Sequence, residues 1–160
     1  MSNRPDPDIT FRPALREDTP AMVALILQGD AAHPLSPEDA AAEAAHPDYL
    51  AAFDTVAASP DVEMFVAERD GAVIGTIKVV LVPGLAGRGR LRARFESVHV
   101  APELRGKGIG AAMIAFAEDI ARGRGAASIE LTSNANREAA HRFYRRLGYA
   151  QSHAGFRKTL

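Results

Sequence analysis

Cysteine is absent from this chain of 160 residues. Its absence excludes a disulfide framework, a thiol nucleophile and a thiolate metal site, and it fits a cytoplasmic protein. Neither sign of charge is in excess, because 19 basic and 20 acidic side chains give a formal net charge of −1. This balance gives no reason to expect nucleic acid or an anionic membrane as a partner.

Long apolar runs are missing as well. No stretch approaches the roughly 20 residues of a membrane-spanning helix, and the polar, proline-rich residues 1–8 cannot form the apolar core of a signal peptide. The five histidines form no close ligand pair with a carboxylate, so no metal is expected. We therefore predict a disordered segment over residues 1–8, a single domain over residues 9–160, and a cytoplasmic location.

The chain does contain a glycine-rich turn between a strand pattern and a helix pattern. Residues 95–100 are rich in β-branched and aromatic side chains, and residues 111–117 are mostly strong helix formers. Alternating glycines let a ligand approach the backbone, while the free N–H groups and the dipole of the following helix attract negative charge. Two cations in the turn suit a ligand with more than one phosphate. The predicted phosphate site consists of Arg105, Gly106, Lys107, Gly108, Ile109 and Gly110.

Two other interpretations of the turn are open at this point. Its glycines could serve chain geometry alone. Gly106, Gly108 and Ala111 also fit the dinucleotide fingerprint G-x-G-x-x-G/A, and Glu130 lies near the spacing of the acid that holds a ribose. The dinucleotide interpretation is disfavoured, because that fingerprint normally opens its domain, whereas about two thirds of this chain precede it.

Two motifs resemble the GCN5-related N-acetyltransferase (GNAT) family. The pattern Arg105-x-x-Gly108-x-Gly110 after a strand is similar to the family's acyl-CoA signature. The pattern Tyr-x-x-Leu-Gly-Tyr at residues 144–149 is similar to the stretch that closes the family's cofactor site. The resemblance implies an acyl-CoA N-acyltransferase fold of the mixed α/β (α+β) class in one domain. It further implies a mixed sheet of six to seven strands, helices on both faces, and two parallel strands that splay apart.

Local patterns predict the elements of this sheet. Strands are expected over residues 9–11, 63–68, 72–82, 91–100 and 128–132, with a terminal hairpin of residues 149–152 and 156–160. Helices are expected after caps at Asp18 or Thr19 and at Ser36, and over residues 111–122 and 137–147. In the fourth strand the apolar side changes near Ser97, which predicts a one-residue bulge.

The resemblance implies direct transfer of an acetyl group from acetyl-CoA, as co-substrate, to a primary amine. Backbone N–H groups of Val98, His99 and Val100 would bind the pantetheine arm and polarise the thioester carbonyl. The family commonly has a pantetheine-binding asparagine seven residues before its tyrosine, whereas this chain has an arginine there and asparagines just upstream. The further candidates for the cofactor site are therefore Asn134, Asn136, Arg137 and Tyr144.

Two side chains are predicted to move protons. Tyr144 matches the tyrosine that, in the family, protonates the departing thiolate; the alternative is a core aromatic residue. Glu96 is the first candidate for the base that takes the proton of the amine, and its alternative role is a salt bridge with a nearby cation. His99 is the second candidate, because an unperturbed imidazole titrates at about 6.5.

These motifs do not specify the acceptor amine. The end of the chain resembles a bacterial small-molecule subgroup that includes aminoalkylphosphonate acetyltransferases, which implies a small amine with an anionic group. Protein amines, polyamines and aminoglycosides stay open as acceptors, as do a homodimer and a non-catalytic acyl-CoA-binding module. A row of cations mildly favours an anionic acceptor, and it consists of Arg88, Arg90, Arg92 and Arg94.

Overall fold

The computed structural model describes residues 8–160, so all but the last residue of the segment predicted to be disordered lies outside the described part. Strands β1 to β5 are Thr10–Pro13, Val62–Arg69, Ala72–Val82, Arg92–Val100 and Ser128–Leu131. Helices α1 to α6 are Thr19–Gln28, Pro37–Ala44, Pro47–Ala57, Ala86–Gly89, Ile109–Gly123 and Glu138–Arg146. The predicted elements before residue 148 are confirmed, with bounds within two residues of those expected.

The five strands form one mixed sheet in the order β1-β2-β3-β4-β5. Neighbours from β1 to β4 run antiparallel, whereas β4 and β5 run parallel. A parallel pair needs a crossover connection, and α5 supplies it. Asp70 and Gly71 join β2 to β3, and both have the positive φ that a two-residue hairpin turn requires.

The prediction of six to seven strands is wrong, because residues 8–160 contain five. The terminal hairpin does not form, and residues 150–160 are exposed. Strand-forming residue types are not sufficient, since a strand also needs a hydrogen-bonding partner and apolar contacts. Phe156 is 97% exposed, so the segment buries little surface to offset the entropy of ordering it. The packed part of the chain ends at Tyr149, whose hydroxyl donates to Glu118 of α5 at 2.8 Å.

Helices cover both faces of the sheet, as predicted. On one face, Phe116 of α5 stacks on Phe11 of β1 and meets Phe65 of β2 edge-on. Gly75 of β3 lies close to Met113 of α5 and therefore points to this side, the α5 face. Because side chains alternate along a strand, the neighbouring residues of β3 point to the opposite side, where α1 packs. We call that side the α1 face.

A bulge at Ser97 interrupts β4. Lys78 of β3 pairs with Glu96 and Thr76 pairs with His99, so one residue of β3 opposes two residues of β4. Ser97 has a φ of 52°, which confirms the predicted irregularity. Glu96 and His99 are three positions apart, so in a regular strand their side chains would point to opposite faces. The extra residue of the bulge turns both side chains toward the α1 face.

Beyond this bulge, β4 and β5 separate. Their parallel pairing begins at Arg92 with Ser128 and ends at Phe95 with Leu131. The remaining residues of β4, 96–100, have no partner in β5, and we call the opening along this unpaired edge of β4 the splay. The splayed pair of parallel strands predicted from the sequence is therefore present. Its position on the chain brings the end of β4, the start of α5 and the start of α6 to one place.

Asp18 ties the start of α1 to the first two strands. Its carboxylate accepts hydrogen bonds from the Leu15 N–H at 2.7 Å and from two nitrogens of Arg12 at 2.6 and 2.9 Å. Arg12 also contacts Glu68 of β2 at 2.6 Å. Asp18 is 7% exposed, and the hydrogen bond from Arg12 holds the pKa of its carboxyl below the usual range.

We predict that Asp18→Asn lowers the free energy of unfolding by about 2 to 4 kcal/mol at pH 7, because the amide leaves the Arg12 charge without its buried partner. The folded-state pKa of Asp18 lies below its unfolded value of about 3.9, so its contribution is complete above that pH and is lost as the pH falls through the folded pKa. Urea unfolding of both chains at pH 7 and pH 3 should therefore show the difference shrinking at pH 3.

Asp119→Asn is a control for this prediction, because Asp119 forms an exposed ion pair with Arg122 one turn along α5. Its substitution should change the free energy of unfolding by less than about 0.5 kcal/mol. Equal losses for the two variants would contradict the anchoring role of Asp18.

Candidate active site

Two glycines shape the turn before α5. Gly106 and Gly108 have φ values of 78° and 82°, which residues with a Cβ rarely adopt. The Ala112 N–H bonds back to the carbonyl of Gly108, the N-cap, at 3.0 Å. The N–H groups of residues 106–111 have no backbone acceptor in the described chain. They lie at the positive end of the α5 dipole, which is the arrangement of an anion site.

The third glycine of the turn, Gly110, lies in van der Waals reach of α6 and β4. A Cβ added there would lie 3.4 Å from Cζ of Phe143 in α6 and 3.9 Å from a methyl group of Val100. Contacts this close hold the first turn of α5 against both α6 and the end of β4. As a result, Phe143 lies against the turn although it comes 33 positions after Gly110 in the sequence, and the same helix carries Tyr144.

Three basic side chains near the turn and the splay have no carboxylate partner among residues 8–160: Arg105, Lys107 and Arg137. Arg105 donates from Nε to the Val100 carbonyl at 3.1 Å, which fixes it beside the end of β4. Arg137 immediately precedes α6, and its charge lowers the pKa of both His99 and Tyr144. This uncompensated positive charge suits an anionic ligand.

The backbone at the end of β4 offers hydrogen-bond donors to the splay. The Ala101 N–H bonds to the Ile74 carbonyl of β3 at 2.9 Å. Because N–H groups alternate in direction along a strand, those of Val98 and Val100 point away from β3 and into the splay. The same alternation turns the His99 backbone toward β3. Of the three predicted backbone donors, His99 is therefore not positioned to bind a ligand through its N–H, although its side chain is close by.

Tyr144 lies on α6, with its ring packed edge-on to those of Phe143 and Tyr149 at centroid distances of 5.1 and 5.9 Å. Burial raises the pKa of its phenol, and the charge of Arg137 opposes this shift. The hydroxyl has no hydrogen-bond partner within the described residues. The phenol therefore keeps its proton at neutral pH and can donate it to a ligand, as the predicted role requires.

Glu96 forms the ion pair that the sequence left open as its alternative role. Its Oε2 lies 2.7 Å from Nζ of Lys78, the residue opposite it on β3. Both side chains are partly exposed and lie on the α1 face beside the splay. Glu96 can therefore face a bound amine, but its carboxylate is already engaged in the ion pair with Lys78.

His99 projects its imidazole onto the α1 face, against Gly29 at the end of α1. A Cβ added to Gly29 would stand 2.1 Å from Nδ1 of the ring and 3.2 Å from the Leu25 carbonyl oxygen, so any larger residue would displace the ring. Burial, and then the charges of Arg137 and Arg105, lower the pKa of His99 to about 4, while Asp30 acts in the opposite direction. The ring is therefore neutral near pH 7.

The asparagines that precede α6 serve their own loop. The Asn134 side chain accepts a hydrogen bond from the Asn136 N–H at 3.0 Å, and the backbone carbonyl oxygen of Asn134 lies 2.9 Å from Nε2 of His141. Asn136 is exposed. Of the three candidates in this stretch, Arg137 is the one whose charge reaches His99 and Tyr144.

The arginine row on β4 does not supply the free cations of the site. Arg92 and Arg94 both bind Glu130 of β5, at 3.0 and 2.8 Å. The other two members are exposed before β4: Arg88 lies in the short helix α4, and Arg90 lies in the connection that follows it. Glu130 is thus engaged in ion pairs within the sheet, which counts further against the disfavoured dinucleotide interpretation, in which it would hold a ribose. The mostly antiparallel sheet itself differs from the parallel sheet of dinucleotide-binding domains.

Three residues beside the site escaped the sequence interpretation. Gly29 looked like an ordinary helix C-cap, and its contact with His99 depends on tertiary packing. Lys78 and Thr76 are assigned to Glu96 and His99 only by the register of β3 and β4. These two pairs could have been found from the sequence if the bulge had been placed to within one residue and β3 had been aligned with β4.

No group of three or more histidine, aspartate and glutamate side chains in residues 8–160 is arranged to hold a metal ion. Within the same range, the helices are all too short or too polar to cross a membrane.

Comparison with known proteins agrees with this geometry. Residues 29–149 match the model of the acetyltransferase (GNAT) family. Over 116 residues, the chain is 40% identical to the aminoalkylphosphonate N-acetyltransferase of Salmonella typhimurium, covering 71% of this chain and 75% of that protein. It is 30% identical over 87 residues to the glucosamine 6-phosphate N-acetyltransferase of Trypanosoma brucei brucei, covering 54% of this chain and 57% of that protein.

A solved structure supports the fold over nearly the whole chain. The crystal structure of a transcriptional regulator from Bacillus halodurans C-125 superposes with a TM-score of 0.84 at 29% identity. The superposition covers 95% of this chain and 99% of that chain. The likeness therefore includes the turn, the splay and α6.

We predict that Gly29→Ala lowers the free energy of unfolding by about 1 to 3 kcal/mol, because the new methyl group displaces the His99 ring. The φ of −92° at Gly29 is acceptable for alanine, so backbone strain does not contribute. In a His99→Ala background the same substitution should cost less than about 0.5 kcal/mol, which a double-mutant cycle of urea unfolding curves measures.

Gly123→Ala is the matched control, since nothing lies within 4 Å of a Cβ added at the end of α5. It should be neutral or stabilise by up to about 1 kcal/mol. An undiminished loss from Gly29→Ala in the absence of the His99 ring would show that some other neighbour requires the glycine.

Proposed function

The chain belongs to the GNAT acetyltransferase family, and on that basis we propose that it transfers an acetyl group from acetyl-CoA to the primary amine of a small molecule that carries a phosphonate or phosphate group. The observation behind this proposal is Arg137, a cation at the N-cap of α6, the helix that carries Tyr144, without a carboxylate partner in the described chain. The two N-acetyltransferases compared above are named for amines of this chemistry. A cytoplasmic location and a homodimer stay predictions.

The turn and the splay have the chemistry that acetyl-CoA requires. The unpaired N–H groups of residues 106–111, with Arg105 and Lys107, would bind the pyrophosphate. The N–H groups of Val98 and Val100 would bind the pantetheine arm and the thioester carbonyl, where negative charge develops during the reaction. Acetyl-CoA itself supplies an activated thioester. Direct transfer therefore needs no nucleophile from the protein, which agrees with the absence of cysteine.

Tyr144 would act as the general acid. Its phenol is half-buried, protonated at neutral pH and free of a protein acceptor in residues 8–160. It would donate its proton to the sulfur as the carbon–sulfur bond breaks. Glu96 and His99, on the α1 face, are the two groups that could take the proton of the amine. Tyr144 would thus protonate the departing thiolate, and Glu96 or His99 would deprotonate the entering amine.

Arg137 would bind the anionic group of the acceptor. A guanidinium can form two parallel hydrogen bonds with a phosphonate or a phosphate. It occupies the N-cap of α6, on the helix that also carries Tyr144, whereas Arg105 and Lys107 belong to the turn before α5. An acceptor held there by its anion would direct a short aminoalkyl chain toward the thioester.

The proposal is tested with a matched pair of acceptors, 2-aminoethylphosphonate and n-propylamine, in a free-thiol assay with acetyl-CoA. We expect the phosphonate to be the better substrate. Arg137→Gln should raise its KM by about 10- to 100-fold, the equivalent of one charge-assisted hydrogen bond, with little effect on n-propylamine or on the KM of acetyl-CoA. Arg142→Gln is the control, because Arg142 is exposed on α6 and interacts with Glu138.

Three outcomes would count against the proposal in different ways. If the wild-type protein acetylated both amines equally well, the proposal of an anionic acceptor would be wrong, but the acetyltransferase activity would stand. Binding of acetyl-CoA, seen as a rise in the thermal unfolding midpoint, without turnover of any amine would favour a non-catalytic acyl-CoA-binding module. No effect of acetyl-CoA on the midpoint would contradict the cofactor assignment.

We predict that Tyr144→Phe lowers kcat by about 10²- to 10⁴-fold, because it removes one proton while keeping the packing against Phe143 and Tyr149. The dissociation constant of acetyl-CoA, measured by calorimetry, should change little. Tyr49→Phe is the control, since Tyr49 donates to Glu43 at an exposed position away from the splay. Unchanged turnover by Tyr144→Phe would exclude the general-acid role.

A further inference from the structure

Two polar groups on the α1 face lack hydrogen-bond partners within the described chain. The imidazole of His99 has none, and neither does Oγ1 of Thr76, which is fully buried. The two residues are opposite each other in the register of β3 and β4 and point to the same face. Buried polar groups nearly always have a partner, so the buried Thr76 hydroxyl marks a place where a ligand or water supplies one. The partly exposed imidazole of His99 lies directly opposite and is accessible from the same place.

The bulge and Gly29 together fix the His99 ring at this place. The extra residue at Ser97 turns the side chain toward the α1 face. The Nδ1 edge of the ring packs against Gly29, where a Cβ would overlap it. Nε2 is therefore the nitrogen that can face a molecule entering the splay.

Charges surround His99 from each side of the site. Arg137 approaches from the loop before α6, Arg105 from the turn before α5, and Asp30 from the end of α1. On the sheet itself, Lys78 and Glu96 occupy the adjacent pair on the same face and form an ion pair at 2.7 Å. Glu96 would have to give up this pair to take a proton, whereas neutral His99 has no interaction to break.

We propose that the His99 imidazole, and not the Glu96 carboxylate, accepts the proton of the acceptor amine. This inference rests on the acetyl transfer proposed above. The neutral form of the amine, which has already lost one proton to water, attacks the thioester carbon. As the nitrogen–carbon bond forms, Nε2 of His99 takes a proton from the attacking nitrogen; as the carbon–sulfur bond breaks, the sulfur takes the proton of Tyr144. The proton on His99 then passes to water, and Tyr144 is reprotonated from water. The products are the N-acetylated amine and free coenzyme A.

The charges around His99 connect this step to the anionic group of the acceptor. In the free protein the ring is neutral over the physiological range, since its pKa lies at about 4. An anion bound at Arg137 would offset one of the two positive charges that lower this pKa. Binding of the correct acceptor should therefore raise the proton affinity of the base at the moment when it is needed.

The experiment compares His99→Gln with Glu96→Gln in the pH dependence of kcat for the best amine acceptor. His99→Gln should lower kcat by at least about 100-fold and remove its acidic limb, while the KM of acetyl-CoA changes less than about threefold. Glu96→Gln should keep the limb and lose less than about tenfold. His153→Gln, in the exposed chain after α6, is the control. The reverse result, with the limb lost only in Glu96→Gln, would overturn the inference.

A measurement on the unchanged protein avoids dependence on folding of the variant. The imidazole NMR signals of His99, assigned by comparison with His99→Gln or by selective labelling, should titrate with a pKa near 4 in the free protein. Addition of 2-aminoethylphosphonate with coenzyme A should move this pKa upward by at least about one unit. An unchanged titration in the ternary complex would overturn the inference. Absence of amine acetylation by wild-type protein would instead contradict the proposed function.

Discussion

The site depends on one interruption of backbone pairing, the bulge at Ser97. A non-glycine residue with a φ of 52° costs on the order of 1 kcal/mol, so the conformation persists only because the surrounding sheet holds it. The extra residue has two consequences. It ends the ladder between β4 and β5 at Phe95 and Leu131, which opens the splay. It also brings Glu96 and His99 to the same face, whereas a strand without a bulge would place them on opposite faces.

Opposite electrostatic effects act on the two titratable groups that flank the splay. Burial disfavours the charged form of each group, so it raises the pKa of the Tyr144 phenol and lowers that of the His99 imidazole. Arg137 favours the phenolate of Tyr144 but disfavours the imidazolium of His99. The net result is a protonated phenol and a neutral imidazole at the same pH. One is ready to donate a proton and the other to accept one, which is the pairing that a transfer between amine and thiol requires.

The sequence predicted those features that depend on local chemistry. The turn before α5, the Asp70–Gly71 hairpin and the change of face at Ser97 all follow from glycine conformation or from strand periodicity, and all are present. Features that depend on distant partners were harder to predict. The terminal hairpin had suitable residues but no strand to pair with, the pairing of Lys78 with Glu96 required the register, and the space required at Gly29 is visible only once His99 packs against α1.

The distribution of unsatisfied groups separates the site from the rest of the fold. At the start of α1, Asp18 meets Arg12 and the Leu15 N–H, so charge and hydrogen bonding are balanced there. At the splay, free N–H groups, cations without carboxylates and two unpaired side chains on the α1 face all lie close together. Leaving such groups without partners costs free energy that folding alone does not recover. A ligand that satisfies them stabilises the folded chain by the same interactions that hold it for reaction, so incomplete pairing in the free protein is the physical basis of binding at this site.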